Sequence, residues 1–271
     1  MDTAAKLQIS LLCKMQVKLS VVIITFNEEK NIGRCLESIK NVADEIIVID
    51  SFSTDATEEI CRSYGAKFIE RAWEGYAGAK NFGNAQAQHA YILSMDADEA
   101  LSETLRKSVT KEKKSGLKGG YSFNRLTNYC GSWIRHSGWY PDRKIRIFPK
   151  DGAKWEGELV HEVLKPDPDL EIIKLDGDLL HFSYYTEEEH LKQIEKYTDY
   201  SSVKAFKKGQ KSNYFKIFYK TAFKFFRDYV LKLGFLDGKA GFIVCRNSAY
   251  AKYLKYYKLL KLQNETKVES N

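Results

Sequence analysis

Ala85-Gln-Ala-Gln-His-Ala-Tyr-Ile-Leu-Ser-Met-Asp-Ala-Asp-Glu-Ala100 holds a short apolar run, Tyr91 to Leu93, that soon gives way to two carboxylates, Asp96 and Asp98. Two readings compete. In the first, a strand is followed by a helix, with Asp98 as its N-cap and Glu99 in its first turn. In the second, two hard oxygen ligands one residue apart stand at the carboxyl end of a strand, where open α/β sheets bind ligands, and suit a divalent cation holding phosphates. The Asp-x-Asp pattern alone does not choose between them, so the neighbouring segments have to.

Upstream, Lys18-Leu-Ser-Val-Val-Ile-Ile-Thr25 is a β-branched run suited to a strand covered on both faces. It breaks at Phe26-Asn27-Glu28-Glu29, after which Asn31 can cap a helix whose apolar face is Ile32, Cys35, Leu36 and Ile39. Glu45-Ile-Ile-Val-Ile-Asp50 is a second such strand, and Ser51 to Asp55 is turn and cap chemistry before a helix reaching Tyr64. Gly65 suits the position after that helix, Ala66 to Glu70 a third strand, and about Ala79 to His89 a third helix. The pattern β-α-β-α-β-α-β with short connections predicts an α/β fold built on a mostly parallel sheet with right-handed crossovers. Every strand end is polar: Thr25, Asn27 and Glu28; Asp50 and Ser51; Arg71; Asp96 and Asp98. Capping accounts poorly for four loaded ends, whereas one nucleotide site accounts for them together. Neither Gly-x-Gly-x-x-Gly nor a Gly-Lys-Ser/Thr loop is present, which argues against dinucleotide-binding and P-loop folds.

Downstream, residues 119–125 and 143–148 read as strands added antiparallel to the sheet. Between them Asn128 to Pro141 carries Tyr129, Trp133, Trp139 and Tyr140, either a stacking platform or a mini-core under a long loop. Trp155-Glu-Gly-Glu-Leu-Val-His-Glu162 packs Glu156, Glu158, His161 and Glu162 together. Such density suits a general base, or simply a solvated turn. His181 is isolated, a structural side chain or a metal ligand.

Thr186 is the expected N-cap of a helix over 186–208. Within 213–233, Lys216, Lys220, Lys224 and Arg227 form a basic stripe beside an aromatic face that includes Phe215, Phe218 and Phe226. A second helix, about 244–260, interleaves Tyr and Lys. Both suit a membrane interface, and both also suit an ordinary packed pair. Net charge is +7, yet residues 204–261 hold fifteen Lys and Arg against Asp228 and Asp237 alone, so the remainder of the chain is net negative. An anionic partner for 204–261 is expected, and an anionic membrane surface fits better than nucleic acid because the cations alternate with aromatic residues. The 271 residues suffice for one substantial core. Five scattered cysteines without a Cys-x-x-Cys pair read as reduced, buried filler in a cytosolic protein, and residues 1–17 as a flexible leader without spanning character.

Taken in order, Leu19-Ser-Val-Val-Ile-Ile-Thr-Phe-Asn-Glu-Glu29, Glu45-Ile-Ile-Val-Ile-Asp-Ser-Phe-Ser-Thr-Asp-Ala-Thr57, Ala79-Lys-Asn81 and Met95-Asp-Ala-Asp98 resemble the family-2 inverting glycosyltransferases of the GT-A fold. The 155–162 motif, His181-Phe-Ser-Tyr and Gly234-Phe-Leu-Asp-Gly238 resemble the branch that includes lipopolysaccharide-core β-glucosyltransferases. The resemblance implies a GT-A domain over 18–203, with a nucleotide-sugar half (18–100) and an acceptor and catalytic half (101–203), then an amphipathic helical extension over 204–271. It implies that Thr25, Asn27, Glu28, Asp50, Asp55, Lys80 and Asp96 line a UDP-sugar site, and that Asp98, Asp96 and His181, with His161 the competitor for the third position, hold Mg²⁺ or Mn²⁺. Glu162, with Glu158 and then Glu156 in reserve, is the implied base. The implied acceptor is a glycolipid such as lipopolysaccharide core, at the inner face of the cytoplasmic membrane. A polyprenyl phosphate or a capsule or exopolysaccharide intermediate is the neighbouring possibility, and a catalytically silent domain that docks anionic lipid is the non-enzyme one.

Overall fold

The computed structural model describes residues 17–157 and 162–269, which fall into two compact units. The first comprises the described residues up to Arg125 together with Arg143–His181. It opens with β1 (Leu19–Thr25), α1 (Ile32–Ile39), β2 (Glu45–Asp50), α2 (Thr57–Ser63), β3 (Lys67–Glu70), α3 (Tyr76–Gln86) and β4 (Tyr91–Asp96). β1 runs parallel to β2 and β4, and β2 parallel to β3, as the alternating pattern predicts. All seven residues of β1 are buried, which is why Val21 to Ile24 is apolar on both faces rather than alternating.

The expectation of a mostly parallel sheet is corrected beyond β4. The chain continues as β5 (Glu99–Leu101), α4 (Glu103–Ser115), β6 (Gly120–Tyr129), β7 (Ser132–Ile134), β8 (Asp142–Pro149), β9 (Ala153–Glu156), β10 (Val163–Pro166) and β11 (Ile172–Tyr184). Among the described residues the large sheet has nine strands in the order β3-β2-β1-β4-β8-β6-β11-β5, with β7 paired to β6. β8 joins β4 antiparallel and β5 joins β11 antiparallel, so the sheet is mixed. β9 and β10 form a separate antiparallel pair. These pairings are long-range: β5, α4, β6 and β7 lie between β4 and β8 in the chain, and α4 to β10 lie between β5 and β11, so the alternating pattern that announces a parallel sheet does not continue past β4.

The helix cap reading of Asp98 does not survive. Residues 99–101 are a strand, and the next helix, α4, is capped by Ser102, whose hydroxyl accepts from the Leu105 N–H at 3.2 Å.

The second unit comprises Leu126–Asp142 and the described residues from Phe182 onward. It carries α5 (Glu187–Lys207), α6 (Tyr214–Phe226), a π-helical segment (Arg227–Leu231), a 3₁₀ turn (Gly234–Asp237) and α7 (Gly238–Glu269). Thr186 closes a full capping box with Glu189 at the start of α5. The helical extension is therefore observed, with its last helix longer than expected. Tyr129, Trp139, Tyr184 and His190 pack edge-to-face and tilted with centroids 4.5–6.3 Å apart, a mini-core rather than a stacking platform. Cys35, Cys61 and Cys245 are buried as expected; Cys130 is exposed on the turn after β6, at φ 49°, and departs from that expectation. Cys13 and almost all of the expected leader lie outside the described residues. Among the described residues no helix is long and apolar enough to cross a membrane.

Candidate active site

The C-terminal ends of β1, β2 and β4 lie side by side, with Thr25 opposite Asp50 and Ile24 opposite Asp96 in register. Thr25 is buried and its hydroxyl oxygen has no hydrogen-bond partner among the described residues. Asn27 takes a left-handed backbone at φ 54°, which an Asx side chain tolerates. Its side-chain oxygen accepts from the Thr54 N–H at 2.8 Å, tying the loop after β1 to the loop after β2. Asp50 is fully buried, and both its oxygens accept from Ser53: Oδ2 from the N–H at 2.6 Å, Oδ1 from the hydroxyl at 2.5 Å. Asp55 accepts from the Thr57 N–H at 3.0 Å and the Glu29 N–H at 3.1 Å. Asp50 and Asp55 thus organise the loop that borders the site. Glu28 accepts from Asn31 Nδ2 at 2.8 Å; burial, helped by the nearby charges of Asp98 and Asp55, pushes its carboxyl up to about 7.

The centre of the site is a charge network on Asp96. Lys80, on α3, places Nζ 2.9 Å from Asp96 Oδ1 and 3.2 Å from Glu162 Oε1. Only 1% of the Lys80 side chain is exposed, and its ammonium stands 4.3 Å from the centroid of the Trp155 ring. Lys80 reaches this position because α3 lies close on β1 and β2 at Gly83, less than one turn further on. A Cβ at Gly83 would sit 2.5 Å from Val22 Cγ1 and 2.9 Å from Ile49 Cγ1. Arg146, buried on β8, donates to Asp96 Oδ2 at 3.0 Å and to Glu99 Oε1 at 2.6 Å. Glu99 closes the turn by accepting from the Asp96 N–H at 3.0 Å. Burial would raise the Asp96 carboxyl, but Lys80 and Arg146 overrule it and hold the group well below the usual carboxylate range.

Asp98 has a different surrounding. Its side chain is 24% exposed and its Oδ2 lies 3.1 Å from His181 Nε2. The pairing of β11 with β5 sets this up, since His181 stands opposite Glu99 in the register. Burial alone would lower the His181 imidazole, yet the Asp98 carboxylate beside it outweighs burial and raises it. Asp96 and Asp98 are therefore separated in role: one is pinned between two cations, the other faces an imidazole. Among the described residues no group of three or more His, Cys, Asp and Glu side chains is placed to hold a metal ion. Asp98 and His181 nonetheless fit a divalent cation by their chemistry. They supply one hard oxygen and one imidazole nitrogen, and Mg²⁺ or Mn²⁺ sites commonly complete their shell with substrate phosphate and water.

Glu162 stands immediately before β10, and its position follows from a clamp. Asn81, next to Lys80, donates Nδ2–H to the Trp155 carbonyl at 2.8 Å and accepts from the Trp155 N–H at 3.0 Å. Trp155 in turn is paired with Leu164 across β9 and β10. Glu156 is exposed and paired with Lys165 at 2.5 Å. Glu158 and His161 lie outside the described residues. Sequence reasoning missed Arg146 and the second role of Glu99. One signal was available: an arginine set between Ile145 and Ile147-Phe148, apolar residues suited to a core, calls for a carboxylate partner if it is buried with them.

The family model described as "Glycosyl transferase family 2" matches residues 20–165. A protein of Rickettsia bellii described as "Uncharacterized glycosyltransferase" is 30% identical over 259 residues, covering 90% of this chain and 87% of its own length. The lipopolysaccharide core biosynthesis glycosyltransferase LpsC of Rhizobium meliloti is 27% identical over 251 residues, covering 90% and 92%. Among solved structures, glucosyl-3-phosphoglycerate synthase from Mycobacterium tuberculosis in complex with Mn²⁺, UDP and glucosyl-3-phosphoglycerate matches with a TM-score of 0.34 at 24% identity. That match covers 42% of this chain and 46% of the other.

Proposed function

Because the chain belongs to glycosyl transferase family 2, we propose that this enzyme moves a hexose, with inversion, from a nucleoside diphosphate sugar to a glycolipid acceptor. UDP-glucose is the proposed donor and a lipopolysaccharide core saccharide the proposed acceptor, the latter supported by the similarity to LpsC along nearly the whole chain. The observation that carries the reading is the separation of the two aspartates: Asp96 neutralised by Lys80 and Arg146, and Asp98 left against His181.

In this reading Thr25, Asn27 and Glu28 border the nucleotide, in a loop held by Asp50 and Asp55. Asp98 and His181, with Asp96 behind them, would hold Mg²⁺ or Mn²⁺, which when bound supplies charge neutralisation for the departing diphosphate. Lys80 adds a buried positive charge beside the same group and holds Glu162 in place at 3.2 Å. An acceptor hydroxyl oxygen attacks the anomeric carbon from the face opposite the leaving group. The bond from that carbon to the phosphate oxygen breaks, and its electron pair leaves with the nucleoside diphosphate. The hydroxyl proton passes to the Glu162 carboxylate.

The test is a set of nucleotide sugars scored by metal-dependent thermal stabilisation, followed by transfer assays on lipopolysaccharide-core acceptors. Asp98→Ala should lose the metal-dependent stabilisation. Glu162→Gln should keep it and lose transfer by about 10²-fold or more. Full transfer by Glu162→Gln would remove Glu162 as base, and stabilisation of Asp98→Ala equal to that of the parent would remove the metal assignment.

A further inference from the structure

Helix α6 is turned inside out. Phe215, Phe218, Tyr219, Ala222, Phe223 and Phe226 follow the spacing i, i+3, i+4, i+7, i+8, i+11, which is one face of a helix. That face should be the buried one, yet every member of it is exposed, Phe215 by 78% and Phe218 by 74%. Ile217 is the buried residue of α6, and Phe225 packs instead against Tyr229 and Phe242 of the same unit.

The segment after α6 repeats the pattern by other means. Leu231, Leu233, Phe235 and Leu236 are all exposed within six residues. Leu233 holds φ 55°, a left-handed backbone that a leucine adopts only at a steric cost. That conformation ends the helical segment, with the Leu233 N–H donating to the Val230 carbonyl at 3.2 Å and its carbonyl accepting from the Leu236 N–H at 2.9 Å, and it leaves the four apolar side chains on an exposed tip.

The charge around this surface is of one sign. From Lys211 to Lys239 there are seven Lys and Arg against Asp228 and Asp237. Both carboxylates are buried and engaged: Asp228 by Arg227 at 2.8 Å, and Asp237 by the His136 N–H at 2.8 Å. The surface therefore offers aromatic and aliphatic side chains with cations alongside and no exposed carboxylate. A second copy of the same face would bring cations against cations, and a water-filled cleft would gain nothing from exposed phenylalanines. The surface of a bilayer rich in anionic phospholipid meets both features: headgroup phosphates for the cations and the acyl boundary for the rings. No described helix can span the membrane, so the contact is with its surface.

We propose that the outward face of α6 and the apolar tip at 231–236 dock the enzyme on anionic phospholipid membrane, the tip entering the acyl boundary. This stands independently of the transfer chemistry, since it would hold for any reaction the first unit performs.

The experiment uses the full chain with vesicles of phosphatidylglycerol and phosphatidylcholine, against phosphatidylcholine alone. Leu231→Trp reports tip insertion: its added emission should shift to the blue and be quenched by bromine-labelled acyl chains only with the anionic vesicles. The double variant Leu231→Glu/Phe235→Glu, with unchanged circular dichroism, should bind about tenfold or more weakly. Lys220→Gln/Lys216→Gln should weaken binding and flatten its salt dependence, because raising salt from about 0.1 to 1 M shortens screening from about 10 to 3 Å. No shift and no quenching at position 231, or undiminished binding of the double glutamate variant, overturns the proposal. So does a self-associating parent whose double glutamate variant becomes monomeric without any vesicle binding by either.

Discussion

Arg146 joins two carboxylates of the site, as Lys80 does, and the sequence points only to Lys80. It donates to Asp96 and Glu99 from a fully enclosed position, and Arg125 reaches Glu99 only at 3.7 Å. Removing one partner of a buried ion cluster leaves charge without compensation, which costs far more than the cluster contributes. Arg146→Met is therefore expected to lower stability by about 3–5 kcal/mol. Restoring neutrality on one side should recover part of that, so Arg146→Met/Glu99→Gln should unfold at higher urea than Arg146→Met alone. Chemical denaturation of the three proteins checks this, and equal midpoints for parent and Arg146→Met would show that the cluster is hydrated rather than buried. Legibility at this scale followed chain locality. Asp96 and Asp98 stand out because the apolar run beside them announces a strand end. Arg146 does not, because its meaning depends on two carboxylates about fifty residues away that no periodicity connects to it.

At the scale of elements, the position of Lys80 depends on how closely α3 can lie on the sheet. Gly83 is the contact point, and its importance is steric rather than conformational, since an added Cβ would meet Val22 and Ile49 side chains inside normal contact distance. Gly83→Ala is expected to cost about 1–3 kcal/mol by overpacking, despite the gain in helix propensity. It should also displace the helix that carries Lys80 and Asn81, so transfer should fall more than the loss of stability explains. Activity measured well below the melting temperature separates the two effects; a variant more stable than its parent would show that α3 can lift without loss. β1 and β2 were readable from their β-branched runs, because burial on both faces leaves an apolar stretch, whereas β3, with both ends exposed, was placed by Gly65 before it and β4 by the short apolar run before Asp96. The mixed remainder was not. β5 has three residues, too few for any periodicity, so Asp98 followed by Glu99 looked like a helix start. The helix after it is displaced by one short strand, and Ser102 is the cap in place of Asp98. In α6 the period was visible but its direction was not: spacing shows which residues share a face, and only the fold shows whether that face is covered.

At the scale of the whole molecule, folding stability is linked to pH through groups whose pKa the fold has moved. Glu28 is the clearest, raised from 4.5 to about 7 chiefly by burial. Below pH 4.5 it is protonated in both the folded and the unfolded chain and has no effect on the balance. As pH rises from 4.5 to 7 the unfolded chain releases this proton while the folded chain keeps it, so stability is lost across that window and the loss is complete above it. At about 1.4 kcal/mol per pKa unit the full effect is at most about 3 kcal/mol. Asp44 moves oppositely: burial raises it, but Lys113 and the Leu19 N–H hold it below its ordinary value, so its contribution is present above pH 3.8 and is lost as pH falls. The two windows do not overlap, so Glu28 can be isolated above pH 4.5. Glu28→Gln keeps an acceptor for Asn31 and removes the titration. The variant should melt close to its parent at pH 5 and several degrees above it at pH 8, measured without metal or nucleotide so that no ligand shifts the balance. A melting difference that is the same at both pH values would show that Glu28 ionises in the folded enzyme as freely as in water.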